Sequence, residues 1–527
     1  MSFGTISTLE ESMRIKEENT ELKRKIKIFE SNLISQEAVF EDLLEKAVAR
    51  QTVIVEEVVA ERMKKLENII AIKDTEIMGL KNQILKLHSR LDNNANNSGI
   101  ATASTPIHKE KRIPNLRQKS YKTIGGQQGH IKHTLSSFSE DEITEHIHHE
   151  HVICDTCESS MKRTGEERQK DEYDVKVVVR KKRHHFHETS CQKCKTTKTM
   201  PIPNHLKEAN QYGSGIDALA LSLINVGFVS MARTKELING FSSGEVDLSV
   251  GYIAKVQQKI AKQLMPFASE VKQSLILSKV VHWDDTVIMI NKKRSCLRIY
   301  TSNQLGLYTA HARKDKIGLD EDNVLSFLSS DTVVVHDHNM VNYNDEYIFK
   351  NAECCVHLLR DLKKVEENLP SHKWAGRMKE LLTETNKERN YGLEMDVDKV
   401  QSEFQEILKL ATSENETEDT ETYYRDKEAT LIKRLKKYGD NYLMWVTNEE
   451  IPFSNNESER SLRGVKTKMK VSGQFQNVER ARDFAIIKTY IETGKRHGLN
   501  PFELLKMAIE GKFMALAQMQ EYFKNHG

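Results

Sequence analysis

Two adjacent carboxylates, Asp284 and Asp285, interrupt a stretch that otherwise has the pattern of a buried strand, VVHWDDTVIMI. Ionised carboxylates in an apolar strand are costly unless they are paired, hydrogen-bonded or bound to metal. Side chains alternate along a strand, so only one of the two can join a site on a given face. The stretch therefore predicts either a solvent-facing strand edge or half of a metal site whose other ligands lie further along the chain.

The segments around these acids predict a ribonuclease-H-like fold. The strand at 278–290 is followed by SCLRIYTS and LGLYTAHAR, by a helical stretch near VLSFLSS, and by the apolar strand DTVVVHDHN. Strand, strand, strand, helix, strand is the opening order of that fold, in which the first and fourth strands lie side by side. We therefore expect Asp284 to lie near Asp337. A third acid, Glu459, should come from a helix packed against the strands.

The segment SNNESERSLRGVKTKMK has the composition of a polar helix start. Asn456, Glu459 and Arg463 fall at i, i+3 and i+7, which places them on one helix face. The basic residues beside Glu459 could neutralise a scissile phosphate; they are Arg460, Arg463, Lys466, Lys468 and Lys470. A charged helix face without chemistry is the alternative for this segment taken alone.

Residues 1–92 carry a heptad pattern of apolar residues. One block runs from Val59 to Leu91 and is interrupted by Lys73, and an earlier block in another phase runs from Leu22 to Ala47. A seam held over several heptads predicts a coiled coil, and we expect it to form a homo-oligomer. The alternative is a long helix that folds back on its own protein.

Residues 93–137 form a basic linker that is rich in Asn, Ser and Thr and broken by proline and glycine. Such a segment can neutralise phosphates and become ordered on DNA, or it can be a solvated tether. The candidate DNA-binding residues here are Lys111, Arg112, Arg117 and Lys119.

Residues 138–204 contain two Cys-x-x-Cys pairs, and these predict one structural four-thiolate Zn²⁺. The ligands are Cys154, Cys157, Cys191 and Cys194. Val175, Val177 and Val179 alternate like a strand, so we expect a zinc ribbon or a similar β-rich finger. Arg180 and Lys181 could contact phosphate or form a solvated edge.

The remaining segments complete a multidomain α+β architecture. Residues 205–272 are helical by pattern and compatible with a helix-turn-helix whose second helix opens at Ser249, with a plain helical connector as the alternative. We assign 273–476 to the catalytic domain, with a helical insertion at about 362–447, and 477–527 to C-terminal helices.

Charge and hydropathy restrict the class of protein. Seventy-nine Lys and Arg balance 77 Asp and Glu, so affinity for nucleic acid must come from local patches. No stretch of about 18 apolar residues occurs and the start lacks a secretory pattern, so we expect a cytoplasmic, nucleoid-associated protein with no membrane partner.

The order of these parts resembles the transposases of insertion sequence family sixty-six. That family combines a coiled coil, a basic linker with a GGQxGH element, a cysteine finger and an Asp, Asp, Glu catalytic domain; here GGQQGH spans 125–130. Its Asp-Glu-Thr motif is similar to Asp284-Asp285-Thr286, and its Asp-Gly-Tyr-x-x-Tyr motif is similar to the segment from Asp337 to Tyr343. Its Cys-x-x-His-x-x-Arg and Asn-Asn-x-x-Glu-Arg-x-x-Arg elements match Cys354, His357, Arg360, Asn455, Asn456, Glu459, Arg460 and Arg463.

The resemblance implies a DNA transposase that cuts element ends and joins the 3′-hydroxyl to target DNA. Asp284, Asp337 and Glu459 would bind two Mg²⁺ or Mn²⁺ ions, with His357, Arg360, Asn456, Arg460 and Arg463 in supporting roles. The alternative interpretation is that His357 is a hydrogen-bonded core histidine. The expected partner is double-stranded DNA, and a need for accessory proteins stays open. A catalytically idle DNA-binding regulator of the same architecture is the alternative function.

Overall fold

The computed structural model of the protein describes residues 5–92, 135–203, 206, 208–416 and 422–526. The chain separates into two compact units, 1–92 and 93–527. The candidate DNA-binding residues of the basic linker, Lys111, Arg112, Arg117 and Lys119, lie outside the described residues.

The described residues form thirteen α-helices and seven strands. The helices are α1 (Thr5–Asp92), α2 (Ser214–Asn225), α3 (Met231–Phe241), α4 (Val250–Ile276), α5 (Lys316–Asp320), α6 (Cys355–Asn368), α7 (Trp374–Asn390), α8 (Val397–Asn415), α9 (Thr422–Thr447), α10 (Asn456–Ser472), α11 (Val478–Arg496), α12 (Pro501–Ile509) and α13 (Leu516–His526). The strands are β1 (Glu188–Ser190), β2 (Thr197–Thr199), β3 (Val280–Ile290), β4 (Lys293–Thr301), β5 (Gly306–His311), β6 (Val333–His336) and β7 (Lys350–Glu353). The predicted mixture of helix and strand is confirmed.

The first unit is the single helix α1. Its apolar seam is open to solvent: Leu66 and Ile70, for example, are 53% and 58% exposed. The charged side chains pair along the helix, as in the contact of Lys65 with Glu61 at 2.6 Å. A helix of this length cannot bury an apolar stripe on its own, so the seam is available to a partner helix. The coiled coil itself stays a prediction.

The second unit is built on a five-stranded mixed sheet in the order β5-β4-β3-β6-β7. Strands β3, β4 and β5 form an antiparallel meander, and β6 and β7 continue the sheet in parallel with β3. The predicted three-strand meander and the later apolar strand are therefore present in the expected order.

Helices cover both faces of this sheet. On one face α4 packs Leu264, Phe267 and Val271 against Trp283 and Tyr300. On the other face Leu462 and Val465 of α10 and Phe484 of α11 pack against Ile288 and Ile299. These apolar layers fix α10 over the middle of β3, and that position brings its first turn to the site described below.

The long helix α4 differs from the predicted second helix of a helix-turn-helix. It opens at the predicted residue, since the Ser249 hydroxyl caps it by accepting the Tyr252 N–H at 3.0 Å. It then continues for 27 residues, and its apolar side lies in the core beneath the sheet. The expected boundary at residue 272 falls inside this helix. The structure thus gives α4 a supporting role in the sheet domain.

Four helices, α6, α7, α8 and α9, of which the first begins earlier, at Cys355, cover the region of the helical insertion predicted at about 362–447. Its helices share one apolar core with β6 and β7 that includes Phe404 and Trp445. A buried polar contact ties two of its helices together, because Trp374 Nε1 and His372 Nδ1 both contact Glu428 Oε1, at 2.6 Å and 2.8 Å. The insertion therefore extends the sheet domain as a packed layer.

The cysteine region has less strand than its sequence pattern predicts. Residues 161–187 contain no strand, although Val175, Val177 and Val179 alternate, and only the short hairpin of β1 and β2 forms. An alternating segment becomes a strand only when a neighbouring strand accepts its backbone hydrogen bonds. Val179 instead packs partly buried against the α2–α4 cluster. Within the described part of the chain, no helix is long and apolar enough to cross a membrane.

Candidate active site

The parallel pairing of β3 and β6 brings Asp284 and Asp337 together. The register pairs Val280 with Val333 and His282 with Val335. Two residues beyond the last of these pairs are Asp284, which still lies in β3, and Asp337, which directly follows the end of β6. Neighbouring strands are about 4.8 Å apart, and the negative charge of Asp337 acts on the Asp284 carboxyl, so the two acids lie near each other.

The Asp284 carboxyl is influenced by the charges of three neighbouring acids. Burial, followed by the negative charge of Asp337, raises the pKa of the Asp284 carboxyl well above its usual range. The Asp285 N–H, which Asp284 Oδ1 accepts at 2.7 Å, acts against this rise, whereas the charges of Asp285 and then of Glu459 add to it. Carboxylates crowded in this way favour a bound cation, which would relieve their repulsion.

Asp285 lies on the opposite face of β3 and makes different contacts. Its Oδ1 is 2.7 Å from Lys314 Nζ, and its Oδ2 accepts the Cys296 thiol at 3.7 Å. An ion pair therefore satisfies the second acid of the strand. Asp284, on the other face, is the neighbour whose pKa the charge of Asp337 raises.

Asn455, just before α10, fixes the first turn of that helix to β3. Its side chain is 1% exposed and donates from Nδ2 to the Trp283 carbonyl oxygen at 2.9 Å. Its Oδ1 accepts the Ser458 hydroxyl at 2.7 Å and lies 3.1 Å from His282 Nδ1. The Trp283 carbonyl immediately precedes Asp284, so these bonds set the start of the Glu459 helix against the strand that carries Asp284.

The Glu459 carboxylate lies in a compact group with Cys354 and His357. One ligand atom from each of these residues lies within 4.8 Å of the other two. Among the described residues, Asp284, Asp337 and Glu459 do not form a group that meets this distance limit. Glu459 thus acts electrostatically on Asp284, while the group that meets the distance limit combines it with a thiol and an imidazole.

His357 and Arg360 contact each other at the edge of this group. Arg360 Nη1 donates to His357 Nε2 at 3.3 Å, and His357 Nδ1 lies 3.7 Å from Glu459 Oε1. Burial raises the pKa of the Cys354 thiol to about 12, and the Glu459 charge adds to that rise. The thiol is therefore protonated when no cation is bound.

The loop after β6 is held by a second set of polar contacts. His338 Nδ1 is 2.8 Å from Glu353 Oε1, and the Tyr343 hydroxyl donates to the same oxygen at 2.5 Å. His336 Nδ1 contacts the Asp337 carbonyl oxygen at 2.6 Å. These bonds fix the backbone that presents Asp337.

The basic residues of α10 divide between surface and interior. Arg460, Arg463, Lys466 and Lys470 are exposed, and Asn456 is partly buried. Lys468 is 7% exposed, and its ammonium lies over the rings of Phe475 and Phe484, 5.7 Å and 5.1 Å from their centres. Burial lowers the pKa of Lys468 to about 8. The structure therefore places Lys468 away from the surface that the other cations share.

Both Cys-x-x-Cys segments adopt the same tight turn. In the first, the Cys154 N–H donates to the Ser159 carbonyl, and the Glu158 N–H donates back to the Cys154 carbonyl, both at 2.9 Å. The second repeats these bonds with Cys191, Thr196 and Lys195. Glu158 and Lys195 both have the left-handed backbone, with φ of 56° and 58°.

The two turns present their thiols separately. In the part of the chain that the structure describes, the four thiols do not form a single group within 4.8 Å. Hydrogen bonding with Thr196 lowers the pKa of Cys194 to about 7, which favours the thiolate that a metal requires. Of the two basic residues predicted beside this region, Arg180 is exposed, and Lys181 pairs with Glu245 at 2.7 Å.

Sequence reasoning did not assign roles to Asn455, Cys354 and Glu353. Asn455 and Cys354 stand inside motifs that the sequence displays, but their roles depend on contacts between residues about 100 or more positions apart, such as the Asn455 N–H to Cys354 Sγ bond at 3.2 Å. Glu353 carries no local signal, because a lone acid at a strand end has many ordinary explanations.

Comparison with known proteins identifies one family. The sequence model of the family described as Transposase IS66 family matches residues 209–483, which is more than half of the chain. The match contains the sheet, the helical insertion and α10. No curated protein matches the chain.

Proposed function

The chain belongs to the transposase IS66 family, and we propose that it cuts the ends of an insertion element and joins the freed 3′-hydroxyl groups to target DNA. The proposal is supported chiefly by the parallel register of β3 and β6, which ends just before Asp284 and Asp337, and by the negative charge of Asp337 that acts on Asp284. Glu459 belongs to the same electrostatic group and sits on a helix hydrogen-bonded to the Asp284 strand. Phosphoryl transfer is the reaction that such a set of acids supports.

Asp284, Asp337 and Glu459 would hold Mg²⁺ or Mn²⁺. The donor set fits, because carboxylate oxygens are the ligands that these hard cations prefer. Burial, together with the negative charge of Asp337, raises the pKa of Asp284, and a bound cation would relieve both effects. Two such ions, when bound, supply an activated water or hydroxyl and neutralise charge that develops on the phosphate. Asp284 interacts electrostatically with both Asp337 and Glu459, so it would help to hold both ions.

The chain's own residues position the reacting groups. The Asn455 bonds hold Glu459 at the start of α10, and the Glu353 contacts hold the loop that presents Asp337. The exposed guanidinium groups of Arg460 and Arg463 lie on the same helix as Glu459 and can neutralise the scissile phosphate. We assign His357 and Arg360 to positioning near that phosphate.

The exposed side of α10 is the proposed contact with the DNA backbone. Glu459, Arg463, Lys466 and Lys470 follow one another at helical spacing, so cations extend from the acids along one side of the helix. Such a row can bind successive phosphates without reading sequence. Double-stranded element ends and target DNA are the proposed partners.

Two further parts of the proposal concern the segments outside the sheet domain. We assign one structural Zn²⁺ to Cys154, Cys157, Cys191 and Cys194, since the matching turns offer two thiols each and Cys194 has a lowered pKa. The exposed seam of α1 would form a coiled coil between copies of the chain, and that pairing would bring two element ends into one assembly.

The decisive experiment compares the full-length protein with Asp337→Asn on DNA that carries the ends of its own element, with Mg²⁺. The intact protein should release strands with free 3′-hydroxyl groups and join them to target DNA, and Asp337→Asn should bind the same DNA without cutting it. Equal nicking by both proteins would refute the assignment. DNA binding without cleavage by either would favour the idle regulator.

A further inference from the structure

A thiol, an imidazole and a carboxylate converge where β7 ends and where α6 and α10 begin. Cys354 precedes the first residue of α6, His357 lies in the first turn of that helix, and Glu459 lies in the first turn of α10. Their ligand atoms lie within 4.8 Å of one another. The Asn455 N–H donates to Cys354 Sγ at 3.2 Å, so the backbone before α10 fixes the position of the sulfur.

Two atoms of this group are buried and lack a hydrogen-bond partner among the described residues. They are His357 Nδ1 and Glu459 Oε1, which lie 3.7 Å apart. This distance is too long for a hydrogen bond, yet a cation between the two atoms would satisfy both. Buried polar atoms without partners are costly, so their presence at one point indicates a ligand that completes the group.

The donor set selects the kind of cation. Sulfur and imidazole nitrogen are the donors that Zn²⁺ and similar thiophilic ions prefer, whereas Mg²⁺ prefers oxygen alone. Three protein ligands also leave a fourth position open for solvent. The group therefore differs in chemistry from the acids that would hold Mg²⁺, although Glu459 belongs to both.

We propose that Cys354, His357 and Glu459 form a binding site for one thiophilic divalent cation of the Zn²⁺ class, and that this cation withholds Glu459 from the site shared with Asp284 and Asp337. The first half stands on the geometry of the three ligands. The second half rests on the proposed function, because it requires Glu459 to act in DNA cleavage. The bound cation would thus act as an inhibitor of transposition chemistry.

Binding at this site has two chemical consequences. The Cys354 thiol loses its proton to solvent as the bond from sulfur to the cation forms. A cation on His357 Nδ1 leaves the ring proton on Nε2, so Arg360 can no longer donate to that nitrogen and must release it. Arg360 therefore opposes cation binding.

The binding test uses Co²⁺ as a spectroscopic substitute for Zn²⁺ in the full-length protein. Wild type should show sulfur-to-cobalt absorption and one more bound equivalent than Cys354→Ser, and His357→Ala should lose the same equivalent. Loss of a direct ligand should exceed the roughly 10–100-fold loss of affinity that follows removal of an outer partner. Arg360→Ala should bind at least as tightly as wild type.

The matched control is Cys355→Ser. This neighbouring thiol is buried and donates to the Tyr442 carbonyl oxygen at 3.2 Å, a bond that a serine hydroxyl can also make. This variant should keep the full Co²⁺ stoichiometry. Subtraction of the Cys354→Ser spectrum from the wild-type spectrum removes any absorption from the four cysteines at 154–194. Equal stoichiometry and spectra in wild type, Cys354→Ser and His357→Ala, or weaker binding by Arg360→Ala, would overturn the site. Circular dichroism establishes that each variant is folded.

The inhibition test adds Zn²⁺ to the Mg²⁺-dependent cleavage reaction. Each variant is compared with its own activity in Mg²⁺ alone, and Zn²⁺ should inhibit wild type and Cys355→Ser far more than Cys354→Ser. Equal inhibition of all three would overturn the withholding of Glu459. If wild type does not cut in Mg²⁺, the proposed function fails and the withholding with it, and the Co²⁺ result still decides the cation site.

Discussion

Replacement of Asn455 with alanine should destabilise the sheet domain by about 3 kcal/mol. The Asn455 side chain is 1% exposed and makes three contacts at hydrogen-bond distance, to the Trp283 carbonyl at 2.9 Å, to the Ser458 hydroxyl at 2.7 Å and to His282 Nδ1 at 3.1 Å. Buried hydrogen bonds contribute about 1 kcal/mol each, and a buried carbonyl left without a donor costs about 1–3 kcal/mol. Because the substitution leaves the Trp283 carbonyl without this donor, we expect the loss of stability to equal or exceed the loss of three ordinary hydrogen bonds.

Urea unfolding followed by tryptophan fluorescence measures this effect, because Trp283 lies at the contact itself. The matched control is Asn456→Ala, which makes the same chemical change one residue later, at a partly buried position outside the Asn455 contacts. The control should shift the free energy of unfolding by no more than about 0.5 kcal/mol. If the two variants unfold at the same urea concentration with the same slope, Asn455 does not hold α10 to β3, and our account of how Glu459 is positioned is wrong.

Three further predictions test the charges around the site. Burial lowers the pKa of Lys468 to about 8 from 10.5 in the unfolded chain, so the folded state binds fewer protons between these values and stability should rise across that pH range. Lys468→Met should flatten this rise in urea midpoints measured from pH 7 to 10.5, and it should stabilise the protein at pH 7. In a gel assay with Mg²⁺, Asp285→Asn should keep cleavage of element ends and Asp284→Asn should lose it; equal loss would contradict the two-face arrangement of β3. Lys470→Gln should reduce the slope of log affinity for DNA against log salt by about 1, whereas Lys468→Met should leave that slope unchanged.

The neighbourhood of Asp284 and Asp337 could be predicted from sequence because it depends on local patterns. Each acid lies in or just after an apolar strand, and the order of strands in the chain limits which of them can be adjacent. The separation of Asp284 from Asp285 follows from the alternation of side chains alone. The parallel pairing of the two strands ends two residues before the acids, close enough for the charge of Asp337 to act on Asp284.

Other features depend on tertiary contacts between distant segments, and the local sequence pattern does not specify these contacts. The amphipathic pattern of α4 fits a DNA-binding helix and a core helix equally well, and the sheet beneath it decides between them. Lys468 resembles its neighbours Lys466 and Lys470 until Phe475 and Phe484 fold over it. Among the residues that the structure describes, the alternating valines before β1 have no partner strand, so their alternation alone does not produce a strand.

One carboxylate, that of Glu459, links the two metal chemistries proposed for this protein. The Asn455 bonds fix the backbone at the start of α10, while the Glu459 Oε1 atom has no hydrogen-bond partner among the described residues. In the proposed competition, the backbone can therefore stay in place while the Glu459 side chain turns from His357 toward Asp284. Side-chain rotation is fast compared with collective domain movements. Control of the acid that we propose acts in cleavage would then require only that soft and hard cations compete for this one side chain.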